Sequence, residues 1–402
     1  MPRVQERNSL SRATTGRGVT LFETPKITDH EAEVIERIED LRRDLRHQVS
    51  GHLRRWTGSL RRAMFARTLQ GSNTIEGYNV DLADAMALAE GDEPLAAAEE
   101  TRQAIAGYRD AMTYVLTLSD DPHFSYSEGL LRGLHFMMLK YDISKGPGLW
   151  RQGVVYVYSE PTGQVVYEGP PADLVPPLMA EVIGALQALE DGPGLVRAAM
   201  AHLNFVMIHP FRDGNGRMAR ILQSLVLARE GILAPEFASI EEYLGRRTED
   251  YYGVLAEVGG GRWQPGRDAR PWLRFCLTAH FRQARTLSRR VAQAERLWSI
   301  LDAEATRLGL PDRTVLALWD AAQRFRVRNS AYQEHADISE YAGGRDLKRL
   351  VVVGLLEPRG EKRGRYYVAS PQLNALAQPA REAGREWERE DPFEELQQKL
   401  PI

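Results

Sequence analysis

The stretch that leaves this chain least freedom is "HPFRDGNGRMAR", residues 209–220. The residues before it, "VRAAMAHLNFVMI", are apolar with helical spacing and predict a buried helix. Pro210 disfavours helical geometry at the residue preceding it, so that helix ends at His209 and the imidazole faces a loop. Gly214 and Gly216 flank Asn215, and two glycines let the backbone turn several amide N–H groups inward as an anion nest. A second helix is expected to start near Gly216, its N-terminus adding unpaired donors and the positive end of a dipole. Arg217 and Arg220 lie three apart and share a face of its first turn. Met218, Ile221, Leu222 and Leu225 bury the other faces.

The same residues define a chemistry. The loop is a phosphate cradle, the guanidinium groups serve further phosphates, and Asp213 is a carboxylate able to hold Mg²⁺. A neutral imidazole at its mouth can take a proton from an incoming hydroxyl. Each group alone has a plainer reading: His209 as a helix-end cap, Asp213 as a turn or N-cap residue, the arginines as solvated charges. Their concentration in one short stretch points to chemistry at a nucleotide phosphate.

The rest of the chain sets the frame. A length of 402 residues allows two or three domains. A net charge of −3 gives no global nucleic-acid signature, so any basic surface is local. Cys276 is the single cysteine, which rules out an internal disulfide and cysteine-cluster metal sites; within "WLRFCLTAHF" it reads as a small core residue. Apolar runs such as "LVVVGLL" are far shorter than the ~20 residues of a membrane span, and the first 20 residues lack a signal-peptide core. A cytoplasmic protein without membrane partners is expected.

Periodicity predicts a mainly α chain. Residues 1–27 read as a flexible N-terminus and 28–127 as an N-terminal helical region. In the latter, Val34, Ile38, Leu41 and Leu45 mark one face of a helix that Thr28 or Asp29 caps. The arginines between 42 and 67 are read as a solvated face in preference to a nucleic-acid patch. A catalytic core is assigned to 128–290. Its texture changes at "WRQGVVYVYSEPTGQVVYEGPP" (150–171), where two β-prone runs about "EPTG" predict one hairpin. Residues 291–370 end in "GLLEPRGEKRGRYYV", two short strands about a basic turn, the outline of a winged helix-turn-helix domain. Residues 371–402 read as a charged C-terminal tail.

A second stretch stands out. In "SNTIEG" (72–77), Ser72 and Glu76 lie four apart on one helix face, and Gly77 can end the helix in a left-handed turn. Alone, this pattern arises often by chance.

Residues 209–220 match, at every specified position, the signature His-x-Phe-x-Asp/Glu-Gly-Asn-Gly-Arg-x-x-Arg of the Fic (filamentation-induced-by-cAMP) family. The similarity runs from roughly 130 to 276, including the hairpin and "EDYYGVLAEV", and more loosely into the N-terminal helices. This resemblance implies a helical Fido fold with one β-hairpin flap. It also implies transfer of AMP from ATP to a Tyr, Ser or Thr hydroxyl of a target protein, self-modification included. By the resemblance, His209 is the general base and Phe211 anchors the loop. Asp213 holds Mg²⁺ on the ATP phosphates; Gly214, Asn215 and Gly216 form the anion hole with Arg217; Arg220 reaches the γ-phosphate. Gly216 stands where the kinase-like Doc branch carries Lys, which favours nucleotidyl transfer over phosphorylation. The hairpin resembles the flap that takes the target as an added strand, with Val155, Tyr156, Val157 and Tyr158 on its ATP side. Tyr251 and Tyr252 resemble the family's pair beside the adenine. For both sets, ordinary strand and helix packing is the competing reading. Ser72, Glu76 and Gly77 resemble the family's inhibitory helix, in which the Glu takes the ground of the γ-phosphate through Arg220.

In the C-terminal module, Leu347, Leu350 and Val351 are expected to face inward and Arg345, Lys348 and Arg349 outward, with Arg359, Lys362, Arg363 and Arg365 near the wing. Residues 295–370 could bind DNA phosphates or dock protein. Two further readings stand beside the adenylyltransferase. One is a nucleotide-sensing, DNA-binding transcriptional regulator. The other is a different Fic reaction, either removal of AMP or use of another nucleotide donor.

Overall fold

The computed structural model describes residues 4–7, 20–49, 55–158, 162–188, 192–231, 233–382 and 391–397. The helical stretch expected over 28–67 is two helices, α1 (Asp29–Val49) and α2 (Thr57–Ile75). Thr28 and Glu31 start α1 as a capping box: the Thr28 N–H donates to Glu31 Oε2 (2.9 Å) and the Glu31 N–H to Thr28 Oγ1 (3.3 Å). Glu31 also accepts from Arg270 and Arg274 across the packed helix pair. Helices α3 (Leu82–Ala89), α4 (Glu99–Leu118) and α5 (Glu128–Leu139) follow. The arginines of 42–67 are not simply solvated. Arg42 is buried, donating to His280 Nδ1 (3.0 Å), and Arg67 pairs with Glu242 (3.4 Å).

Two strands then depart from the helices. Strands β2 (Val154–Tyr158) and β3 (Val165–Glu168) form the expected hairpin. Its outer edge carries a strand that the sequence did not announce, β1 (Val4–Arg7), antiparallel to β2 with Gln5 opposite Tyr156. Residues 20–27 also depart from the flexible terminus assigned to 1–27. Phe22 is buried edge-on against Trp263, and its N–H donates to Asn204 Oδ1 (2.8 Å). For residues 1–3 and 8–19 that expectation lies outside the described residues.

The centre of the fold is the pair α7 (Gly194–Ile208) and α8 (Asn215–Arg229), preceded by α6 (Val175–Gln187). Both central helices are buried almost all round, so they need partners on every side. α2, α4 and α12 (Arg270–Arg307) supply them, with the short α9 (Pro235–Ala238), α10 (Glu241–Arg246) and α11 (Thr248–Gly259). Cys276 is buried within α12 as expected.

The border expected at 290/291 falls inside α12. No breaker interrupts its 38 residues and their buried stripe is continuous, so one helix joins the core to the C-terminal module. That module comprises α13 (Thr314–Ala322), α14 (Asn329–Ala336), α15 (Glu340–Val352) and the hairpin β4 (Leu356–Arg359)–β5 (Tyr366–Ala369). Leu347 and Leu350 are buried, Val351 is half-buried, and Arg345, Lys348 and Arg349 are exposed. The tail expected over 371–402 begins as α16 (Pro371–Glu382), which packs on α12 with Leu373, Ala377 and Ala380 buried; α17 (Pro392–Gln397) follows. Apolar spacing within a charged segment produced that departure. Among the described residues, no helix is long and apolar enough to cross a membrane.

Candidate active site

The α7–α8 junction builds the site. His209 caps α7 in left-handed geometry (φ 53°, ψ 59°), and its N–H donates to the Phe205 carbonyl (3.0 Å). Its imidazole Nδ1 lies 3.1 Å from the Val206 carbonyl, and a carbonyl only accepts. Nδ1 therefore carries the proton, and Nε2 keeps a free lone pair. Burial, with a smaller push from Arg151, pulls its pKa down to about 4 despite the Val206 bond. The ring is a neutral base at physiological pH. The sequence placed this His at an open loop mouth, but it is only 8% exposed.

Asn215 straps the turn: its Oδ1 accepts from the Phe211 N–H (2.8 Å) and its Nδ2 donates to the Phe211 carbonyl (2.9 Å). Gly214 is the left-handed N-cap (φ 74°), and α8 starts at Asn215, one residue before the expected Gly216. The left-handed conformation favours glycine there, and an added Cβ would also push against Met138 Cε at 2.7 Å, the flexible end of its side chain. The first-turn amides of α8 have no intrahelical acceptor and open toward the site.

Two residues that the sequence reading passed over hold this loop in place. His135 stacks flat on Phe211 (centroids 3.6 Å, 1° between planes). The Gly148 N–H donates to its Nδ1 (2.8 Å), so Nε2 bears the hydrogen and donates to the Asp213 carbonyl (3.0 Å). Burial pulls the pKa of His135 down to about 4, keeping the ring neutral. Arg151 donates from Nε to the His209 carbonyl (2.8 Å) and from Nη2 to the Pro170 carbonyl (2.6 Å), tying the hairpin base to the end of α7. Both stand inside apolar runs, "LLRGLHFMML" and "LWRQGVVYV". A polar residue set among hydrophobes was the only signal available.

Glu76 lies against the cradle. Arg220 Nη2 donates to Glu76 Oε1 (2.7 Å) and to the Ser72 carbonyl (3.0 Å), and its Nε donates to Ser72 Oγ (2.8 Å). A Cβ on Gly216 would stand 2.3 Å from Glu76 Oε1, so the carboxylate rests directly over the first turn of α8. Gly77 (φ 79°) closes α2 in a Schellman turn, with the Tyr78 N–H on the Asn73 carbonyl and the Gly77 N–H on the Thr74 carbonyl. Arg217 and Arg220 are each 1% exposed. Even so, Arg217 Nε, Arg217 Nη1 and Arg220 Nη1 lack hydrogen-bond partners. Burial lowers the pKa of Arg220, but Glu76, Tyr251 and Tyr108 outweigh it and raise the value overall.

Asp213 accepts from the Gly214 N–H with Oδ1 (2.6 Å), while Lys145 Nζ stands 3.1 Å from its Oδ2. Among the described residues, no group of three or more His, Cys, Asp or Glu side chains could hold a metal by itself. An oxygen already facing a cation fits Mg²⁺, provided that phosphate and water oxygens complete the shell.

In the flap, Val155 is buried, the rings of Tyr156 and Tyr158 lie 6.4 Å apart, and the β2–β3 register shifts between Val157 and Tyr158, so regular alternation ends there. Tyr251 is 1% exposed, against Trp272, with its hydroxyl 3.0 Å from His202 Nε2. Tyr252 is partly open and donates to the Ile75 carbonyl at the end of α2 (3.2 Å).

Helices supporting a left-handed His, a glycine-capped anion nest and two buried guanidiniums define a Fic/DOC domain, and residues 125–227 match the model of the Fic/DOC family. The likeness to that family thus lies in the central helices of a mainly helical fold. It is 26% identical to the protein adenylyltransferase Fic of Nematostella vectensis over 66% of this chain and 57% of that one. It is 28% identical to the protein adenylyltransferase fic-1 of Caenorhabditis briggsae, over 62% and 46%. The chain thus spans about half the length of these curated relatives. A solved Fic family protein from Desulfovibrio desulfuricans G20 is similar over 87% of this chain and 98% of its own, with 25% identity and a TM-score of 0.56. Fic-1 from C. elegans shares the fold at a TM-score of 0.51 and 22% identity, over 64% and 71%.

Proposed function

We propose that this chain is a protein adenylyltransferase restrained by Glu76. One observation carries the reading: an internal carboxylate lies over the α8 N-terminus against Arg220, beside buried guanidinium N–H groups that have no partner. That is an anion site holding a substitute anion. With Glu76 withdrawn, the α8 amides, Arg217 and Arg220 would take the ATP phosphates. His209 Nε2 would accept the proton of a target hydroxyl as its oxygen bonds to the α-phosphorus. The bond from that phosphorus to the bridging oxygen would break, and pyrophosphate would leave with its electron pair. Asp213 would hold Mg²⁺, which supplies charge neutralisation of the phosphates.

The relatives' names support the reaction, and Gly216 supports AMP transfer over phosphorylation. Glu76→Gly is expected to raise transfer of labelled AMP, self-modification included, roughly 10- to 100-fold, the worth of a charge-assisted hydrogen bond of about 1.5–3 kcal/mol. His209→Ala in that background is expected to abolish transfer while the chain still melts cooperatively. A Glu76→Gly protein no more active than the parent would refute the restraint, and undiminished transfer by His209→Ala would remove the base.

The nucleotide-sensing regulator has its own support. Arg345, Lys348 and Arg349 line the exposed face of α15, with Arg359, Lys362 and Arg365 exposed near the hairpin, where a winged helix would present charges to a duplex. The regulator would bind ATP without releasing pyrophosphate. It would also shift a labelled duplex in a salt-dependent way that Lys348→Ala weakens.

A further inference from the structure

The reaction as written gives Lys145 no part. It ends a one-turn helix, Ile143–Lys145, and Gly146 follows in left-handed geometry (φ 62°). Its ammonium stands 3.1 Å from Asp213 Oδ2 and 3.5 Å from the Tyr78 hydroxyl, with Glu100 at 3.8 Å and Asp142 at 4.0 Å. The Gly214 N–H occupies Asp213 Oδ1, so Oδ2 is the oxygen through which that carboxylate meets a cation, and Lys145 is there. Tyr78 joins the group to the restraint. It follows the left-handed Gly77 and contributes its N–H to the turn ending α2, and its ring lies under the Arg217 guanidinium (5.2 Å).

We propose that Lys145 is the resident counter-cation of Asp213, competing with the divalent cation for one carboxylate oxygen and, through Tyr78, linking that exchange to the segment bearing Glu76. The proposal rests on reading Asp213 as the metal carboxylate. An ammonium suits the task because it is a compact, strongly hydrated charge on a flexible stem and can withdraw into water. Its side chain is 20% exposed, so the path outward exists. A guanidinium bound bidentately would leave less readily. The sign of its removal follows from charge. Without Lys145, only Arg217 offsets the charge of Asp213 toward the nucleotide, so nucleotide binds less well in the absence of metal and metal binds more readily.

The test is binding of a fluorescent methylanthraniloyl-ADP, in EDTA and across a Mg²⁺ titration, to the full-length Glu76→Gly protein, taken as the parent so that the phosphate site is open, and to its Lys145→Met and Lys145→Arg derivatives. Lys145→Met is expected to weaken binding in EDTA roughly tenfold and to lower the Mg²⁺ needed for half-maximal binding by a similar factor. Lys145→Arg should bind near the parent in EDTA but need more Mg²⁺ for half-maximal binding, with thermal melts confirming that both variants fold. An unchanged Mg²⁺ dependence in Lys145→Met, or equal weakening with and without Mg²⁺, overturns the competition. Failure of the parent itself to bind nucleotide sinks the phosphate-site reading instead, so the two failures are told apart.

Discussion

At the scale of single residues, His209 shows how neighbours set chemistry. The Val206 carbonyl fixes the proton on Nδ1, and burial keeps the ring neutral, so the lone pair on Nε2 is available across the physiological range. A depressed folded-state value has a definite sign. The neutral form persists from alkaline pH down to about 4, and stability drawn from neutral His209, present above about 6.5, is lost as pH falls toward 4. In the Glu76→Gly background the nearby carboxylate that favours imidazolium is gone, so the value falls no less far. Initial rates of AMP transfer by that variant should stay level from about pH 8 to pH 5 and fall only on approach to about 4. A half-maximal rate near pH 6.5 would mean that the base is not this buried ring. The twelve-residue motif was legible because its groups lie together in sequence. His135 and Arg151 reach the same loop from 74 and 58 residues before His209, and only the packing of α5 and the hairpin base against α7 brings them there.

At the scale of elements, the end of α2 is the sensitive joint. Gly77 adopts a conformation that costs an L-residue about 1–2 kcal/mol. Gly77→Ala should therefore loosen Glu76, lowering the melting temperature and raising AMP transfer by a factor of about 5–30 at most. Unchanged melting with unchanged transfer would show that the turn does not hold the restraint. The flap was legible as two β-prone runs, but not its third strand, because four residues without strong alternation carry no periodic signal. The Gly169 N–H donates to the Val155 carbonyl, so the peptide groups of Tyr156 point the other way, toward Gln5. Gln5→Pro should speed hydrogen exchange at the Tyr156 amide and leave the α7 amides protected. Equal exchange in parent and variant would place β1 elsewhere.

At the scale of the molecule, the C-terminal module is docked rather than tethered. Arg326 pairs with Asp84 and Asp81, Arg328 with Asp92, and Arg62 of α2 with Asp320 of α13. Composition announced the module but not its docking. Its partners are scattered charges that read as solvated faces, and the long α12 erased the border expected at 290. The fold class, the central helix pair and the pattern that sets Glu76 on Arg220 were all readable, because each rests on local periodicity or a short spacing. What escaped reading was long-range, and it includes the ties that hold the site rigid.

A structure of the Glu76→Gly protein with Mg²⁺ and ATP tests the account most directly. Phosphate oxygens are expected on the α8 first-turn amides and on the N–H groups of Arg217 and Arg220 that lack protein partners, with His209 Nε2 facing the α-phosphorus. Nucleotide bound elsewhere, with the space vacated by Glu76 filled only by water, would contradict it.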